Sequence, residues 1–204
     1  MKVIVVTGGI GSGKSEVCRI IQERYGCGLY EADERVKALY DDNPVLLDEI
    51  EDALSQSFRD SEGKMDRSML AERIFGDRAA LETVESLVFP ALLDDFKEWS
   101  RKFGDGAFVL FESATILEKP QLKGFGDFTI LVDAPFGLRL QRACERDGAG
   151  SDQIRARMMN QPLMNAISDG TAVPDADAVI SNAGSYEDLT EQVVKIIDNL
   201  LNNR

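Results

Sequence analysis

Gly8, Gly13, Lys14 and Ser15 stand in the spacing G-x-x-x-x-G-K-S, inside the run Gly8-Gly9-Ile10-Gly11-Ser12-Gly13-Lys14-Ser15. These residue types at this spacing can hold a polyphosphate. Glycines let the backbone turn tightly enough for successive N–H groups to surround an anion, and Lys14 is placed to reach the β- and γ-phosphates. The Ser15 hydroxyl is placed to ligate Mg²⁺. The pattern reads as a nucleoside triphosphate site, and the competing reading is an ordinary glycine-rich turn. The expected nucleotide contacts are Gly8, Gly9, Gly11, Ser12, Gly13, Lys14, Ser15 and the backbone of Glu16.

Other charged groups can complete phosphoryl chemistry. The chain has no histidine, so a general base has to be a carboxylate, or less readily Lys, Tyr or Cys. Asp33 closes the segment Cys27–Asp33, which reads as a strand, and ligands of open α/β sheets gather beyond the carboxyl ends of strands. Its structural alternative is to cap a helix that begins at Glu34. Glu112 closes the run Ala107–Phe111 as a Walker B carboxylate does, with Mg²⁺ ligation as the functional reading and a polar strand end as the other. Arg139, Arg142 and Arg146 recur at three- and four-residue intervals and share one helical face ahead of Gly148-Ala149-Gly150. With Arg155 and Arg157 they read as a mobile lid that stabilises phosphoryl-transfer charge, against a solvated face paired with Glu145 and Asp147.

These groups need elements to position them. Val3-Ile4-Val5-Val6-Thr7 supplies a buried strand before the loop, and Val17, Ile20 and Ile21 mark the helix whose positive end faces the anion. Phe128–Asp133 and Ala178–Ser181 are further buried strands, and Leu189, Val193, Ile196, Ile197 and Leu200 form one face of a closing helix. From Arg35 to Phe103 the pattern is helical: Asn43-Pro44 starts one helix, Asp66 and Asp77 cap two more, and the last is expected to be interrupted near Pro90. That stretch exceeds what a crossover between parallel strands needs. The fold class is therefore α/β: a three-layer P-loop NTPase-type fold with a mostly parallel five-stranded sheet, a helical substrate-binding insertion and a small helical lid. Residues 1–34, 104–138 and 171–204 form the expected nucleotide-binding core, 35–103 the insertion and 139–170 the lid.

Composition bounds the partners. With 204 residues, 44% of them hydrophobic, the chain can bury a substantial core. A formal charge of −13 argues against a nucleic-acid partner or an anionic membrane surface, which need clustered cations. No stretch approaches the roughly 18 apolar residues of a membrane span. The opening apolar run has no basic lead-in, so a cytoplasmic location is expected. Cys18, Cys27 and Cys144 are widely spaced and read as reduced thiols. The expected state is a monomer, with weak self-association as the alternative.

Taken together these residues resemble the dephospho-CoA kinase family over nearly the whole chain. Thr7-Gly8-Gly9-Ile10-Gly11-Ser12-Gly13-Lys14-Ser15 is similar to the family's opening, and Glu31-Ala32-Asp33 resembles its Asp-Ala-Asp, whose final Asp is taken as the catalytic base. Arg67 with Leu70 and Arg73-Ile74-Phe75 resembles the entry to the CoA-binding insertion, and Ile116-Leu117-Glu118 the Pro-Leu-Leu-x-Glu stretch. Arg142, Arg146, Arg157 and Gln161 resemble the lid pattern; the run Ala176–Gly184, with Asn182, is similar to the closing A-D-x-V-I-x-N-x-G beside the adenine. The chain departs at Glu16 (usually Thr), Glu31 (Asp), Phe89 (His) and Ala114 (Pro). The resemblance implies transfer of the γ-phosphoryl of ATP, with Mg²⁺, to the ribose 3′-hydroxyl of dephospho-CoA, with Asp33, Lys14, Arg142 and Arg146 as catalytic groups. A nucleoside monophosphate kinase is the nearest alternative. A GTP-binding switch is disfavoured because the chain has no N-K-x-D sequence, and an inactive nucleotide-binding module because Lys14, Ser15 and Asp33 are intact.

Overall fold

Apolar runs alternating with amphipathic helices give, in chain order, β1 (Lys2–Thr7), α1 (Lys14–Tyr25), β2 (Gly28–Glu31), α2 (Ala32–Asp42), α3 (Pro44–Leu54), α4 (Arg67–Ile74) and α5 (Arg78–Ser100). The chain continues with β3 (Phe108–Ser113), β4 (Phe128–Asp133), α6 (Phe136–Asp147), α7 (Ser151–Met159), α8 (Pro162–Ser168), β5 (Ala178–Ser181) and α9 (Tyr186–Asn202). This computed structural model describes residues 1–104 and 107–202; 105–106 and 203–204, within the expected core segments, lie outside the described residues. Among the described residues no helix is long and apolar enough to cross a membrane.

The chain divides into two units, Met1–Glu31 with Phe103–Arg204, and Ala32–Lys102. In the first, the strands form one parallel sheet in the order β2-β3-β1-β4-β5. Parallel strands are buried on both faces, which is why they read as unbroken apolar runs. On one face Ile4, Val6, Leu110, Ile130, Val132 and Ile180 meet Val17, Ile20 and Ile21 of α1 and Leu189, Val193 and Ile197 of α9. Each such buried side chain contributes about 1.5–3 kcal/mol. On the other face Tyr30 stacks on Phe111 at 5.3 Å, and Phe125 meets the Phe111 ring edge-on at 4.6 Å. In the β1–β3 register Val6 lies beside Glu112 and Thr7 beside Ser113, so the loop after Thr7 leaves the edge at which β3 also ends. The segment expected as a separate lid, 139–170, falls inside this unit.

The second unit is helical apart from an isolated bridge between Arg59 and Met65. Leu46, Leu47, Ile50, Phe58, Leu70, Val84 and Val88 form its core. Its caps are those the sequence predicts: Asn43 accepts from Leu46 N, Asp66 from Ser68 N and Met69 N, and Asp77 from Ala80 N. One expectation is corrected and one alternative is set aside. Helix α5 runs unbroken through Pro90, because Pro90 and Ser86, whose carbonyl loses its partner, are both exposed and water can satisfy that group. Helix α2 begins at Ala32, so Asp33 lies within its first turn and does not cap a helix starting at Glu34.

Candidate active site

The loop from Gly8 to Gly13 is held in place by its own backbone and by what lies beneath it. Ser12 N donates to Gly9 O at 3.0 Å, and Glu16 N and Val17 N both donate to Gly13 O at 3.1 Å. Gly11 and Gly13 have φ of 74° and 99°, a region that L side chains rarely adopt. A Cβ would meet the Arg139 carbonyl oxygen at 2.1 Å from Gly11, and Asn182 Nδ2 at 2.0 Å from Gly13. Two side chains grip the loop from outside. Gln161, buried, accepts from Ile10 N at 2.8 Å; Asn182, also buried, donates through Nδ2 to Ser12 O at 2.8 Å. The buried Ser12 Oγ has no hydrogen-bond partner among the described residues, an orphan that a phosphate oxygen would satisfy. The cradle, the orphan hydroxyl and the positive end of α1 fit a polyphosphate.

Lys14 Nζ lies 3.7 Å from Glu112 Oε1, both side chains nearly enclosed, so the Walker B-like carboxylate does reach the loop lysine. Ser15 is exposed at the start of α1. Ser15 and Glu112 are the side chains that the sequence offers for Mg²⁺; among the described residues no group of three or more His, Cys, Asp or Glu could hold a metal by itself. The Glu16 N–H, expected to be available to phosphate, is engaged by Gly13 O, and its carboxylate binds Arg19.

The arginines separate into distinct environments. Arg139 is 1% exposed and does not belong to a lid surface. Its Nη2 donates to Asn165 Oδ1 at 2.7 Å and its Nη1 to Ser168 Oγ at 3.2 Å, while Ser168 Oγ donates to Asp133 Oδ1 at 2.6 Å. Burial pulls the guanidinium pKa down, opposed by the fields of Asp133 and Asp169. A Cβ on Gly9 would sit 2.2 Å from Arg139 Nη1, so the arginine supports the loop directly. Arg142 donates from Nη1 to the Asn182 carbonyl at 3.0 Å and lines a cavity of about 310 Å³ beside Gly13. Arg146 and Arg157 share Asp147: Arg146 Nε donates to Oδ1 at 2.6 Å and Arg157 Nη1 to Oδ2 at 2.8 Å. The hydrogen bond from Arg146, then that from Arg157, holds the Asp147 carboxyl down at about 2. Asp147 and, more weakly, the field of Glu112 raise the pKa of Arg146. Glu118, of the Ile116-Leu117-Glu118 stretch, accepts from Leu163 N and Met164 N at the start of α8; burial pushes its carboxyl up.

The site thus brings together Gly8, Gly9, Gly11, Ser12, Gly13, Lys14, Glu112, Arg142 and Asn182, and assigns Arg139 to the support beneath them. Asp33 follows the carboxyl end of β2 by two residues. Sequence reasoning offered Asp147 only as the partner of a solvated arginine face; it did not find that Asp147 joins Arg146 to Arg157, or the grip of Gln161 on Ile10, because both depend on how α6, α7 and the turn before α8 meet. Spacing alone cannot tell an inward arginine from an outward one on the same helical stripe.

The dephospho-CoA kinase family pattern matches residues 2–188. A dephospho-CoA kinase of Porphyromonas gingivalis is 34% identical over 100% of this chain and 96% of its own length. One from Chlorobaculum tepidum is 35% identical over 96% of this chain and 93% of its own. A crystal structure of a Thermus thermophilus protein superposes with a TM-score of 0.80 at 26% identity, covering 98% of this chain and 97% of that one. With a phosphate loop built on β1 and α1 and a match that spans almost every element described above, the chain belongs to the dephospho-CoA kinase family.

Proposed function

We propose that the protein transfers the γ-phosphoryl group of ATP to the ribose 3′-hydroxyl of dephospho-CoA, giving coenzyme A and ADP. The observation that carries this reading is the match along residues 2–188 to a family named for that reaction. The 3′-oxygen forms a bond to the γ-phosphorus as the bond from that phosphorus to the β–γ bridging oxygen breaks. The hydroxyl proton passes to Asp33, which rests in the first turn of α2 and is the carboxylate that matches the family's base. Lys14 offsets charge on the β- and γ-oxygens, and the loop N–H groups and Ser12 Oγ orient them. Mg²⁺, when bound, neutralises charge on the same oxygens; Ser15 and Glu112 are the residues assigned to hold it. Arg142 belongs at the nucleoside end of the loop. Arg146, exposed and tied to Asp147, is the arginine available to exchange a carboxylate for transferring phosphoryl oxygens. The protein works on these two small molecules in the cytoplasm, as a monomer.

Coupled ADP release with dephospho-CoA, AMP, CMP and water as acceptors tests this. Strong stimulation by dephospho-CoA alone is expected. Equal stimulation by AMP would reject the acceptor assignment.

A further inference from the structure

Gly13 ends the phosphate loop, and a cavity of about 310 Å³ lies beside it, within reach of the nucleoside of a triphosphate seated on the loop. That volume lies at the low end of the roughly 300–1,000 Å³ typical of small-molecule sites. Tyr186, the first residue of α9, lines it together with Arg142 and Asn182 and is left 48% exposed, unusual for a large aromatic ring. The ring has a side-chain partner in Arg19. Its hydroxyl accepts from Arg19 Nη2 at 3.2 Å, and the Arg19 guanidinium carbon lies 5.8 Å from the ring centroid.

Arg19 is itself fixed. Its Nε and Nη2 donate to the two carboxylate oxygens of Glu16 at 3.2 and 2.6 Å, and its Nη1 donates to Glu23. The bidentate contact with Glu16 uses the planar geometry of the guanidinium, which a lysine could not reproduce. Glu16 also lines the cavity, in the first turn of α1. An unpaired carboxylate there would repel a polyphosphate; the hydrogen bond from Arg19 neutralises it and lowers its pKa. One arginine therefore offsets an acidic residue beside the phosphate loop and anchors an aromatic ring beside the nucleoside.

We propose that Tyr186 is a base-stacking, specificity-determining residue of the nucleotide site and that Arg19, clamped by Glu16 and Glu23, is its positioning residue. The inference deepens the kinase reading above and rests on it for the location of the nucleoside. The ligand class is a nucleoside triphosphate with a purine base. An aromatic face and a guanidinium plane both stack on flat heteroaromatic rings, and the fused rings of a purine gain more from that contact than the single ring of a pyrimidine.

Dissociation constants of ATP and CTP, measured by calorimetry with no acceptor present, test the proposal on the wild type, Y186F, Y186L and R19M. Y186L should weaken ATP roughly tenfold and CTP measurably less, and Y186F, which keeps the ring, should stay within about threefold of wild type for ATP. R19M should fall between, with part of the ATP-over-CTP preference lost. Equal weakening of ATP and CTP in Y186L, or a Y186F as damaged as Y186L, overturns the stacking role. R19M with wild-type discrimination overturns the positioning role. If Y186L melts low, Y186M, which likewise lacks an aromatic face, carries the same comparison. A wild type that shows these ratios but does not phosphorylate dephospho-CoA refutes the acceptor assignment and leaves the stacking inference standing.

Discussion

Replacing Arg139 by Leu separates two roles for an arginine that the sequence places in a lid and the structure places under the phosphate loop. Leu keeps an apolar stem and removes the guanidinium. Asn165 Oδ1 then loses its 2.7 Å donor, Ser168 Oγ loses its 3.2 Å donor, and the Asp133 carboxylate behind Ser168 loses a nearby cation. Net hydrogen bonds to charged groups contribute about 1.5–3 kcal/mol each. Removing one member of a buried ionic set costs about 3–5 kcal/mol. Asp133 is only half-buried, and Leu no longer has to desolvate a charge, so the lower end applies, about 3 kcal/mol. For a chain of this size one kcal/mol moves the melting temperature by about 2–4 °C, so R139L should melt about 6–12 °C below wild type.

The exposed Arg146 provides the control. A surface ion pair contributes at most about 1 kcal/mol, so R146L should melt within about 4 °C of wild type while losing turnover. Calorimetric or circular-dichroism melts of the three proteins, paired with kcat, decide the matter. An R139L that melts within about 2 °C of wild type and loses only kcat would refute the supporting role and restore Arg139 to a lid surface.

Other outcomes follow from single contacts. Asp33→Asn should lower kcat by about 10² to 10⁴ with ATP still bound, while lost attraction to the start of α2 costs only about 0.3–1 kcal/mol; retained turnover in a normally melting variant removes Asp33 as the base. Gly11→Ala forces a Cβ to 2.1 Å from the Arg139 carbonyl oxygen at a φ of 74°, so ATP affinity measured by calorimetry should fall at least about tenfold. The Asp147 carboxyl is depressed in the folded chain from 3.8 to about 2, so its contribution to stability is present above the unfolded value and is lost as pH falls through that window. The melting difference between wild type and Asp147→Asn should therefore be largest near pH 6 and shrink as pH falls from about 4 toward 2; a difference that grows on acidification contradicts the link to Arg146 and Arg157.

What the sequence made legible is what local chemistry decides. The order β1, phosphate loop, α1 is written in an apolar run, a glycine spacing and a helical stripe, and each fell where those signals put it. Asn43, Asp66 and Asp77 cap their helices because capping is settled within three residues. The α5 helix shows where local signals lose: Pro90 reads as a break, but it sits on an exposed stretch of a helix whose opposite side is fixed by Val84, Val88, Leu92 and Phe96. Asp33 was displaced by the same kind of shift, one turn of helix beginning two residues earlier than a strand ending in Asp would allow.

The arginines expose the deeper limit. Arg139, Arg142 and Arg146 share residue type and helical phase, and only tertiary partners distinguish them. Asn165 and Ser168 of α8 draw Arg139 inward; the Asn182 carbonyl accepts from Arg142 beside the cavity at Gly13; Asp147 holds Arg146 outward. The loop is organised by the same long-range contacts, since Gln161 and Asn182 reach Ile10 and Ser12 across 151 and 170 residues of sequence. Glycine spacing therefore specifies that a phosphate can be held. Which arginine meets it, and which base follows it, depends on how α6, α8 and the start of α9 close around that loop. For that reason the contrast among R139L, R146L and the Tyr186 variants tests the architecture as much as the residues: three positions within one site should fail separately, in stability, in turnover and in base preference.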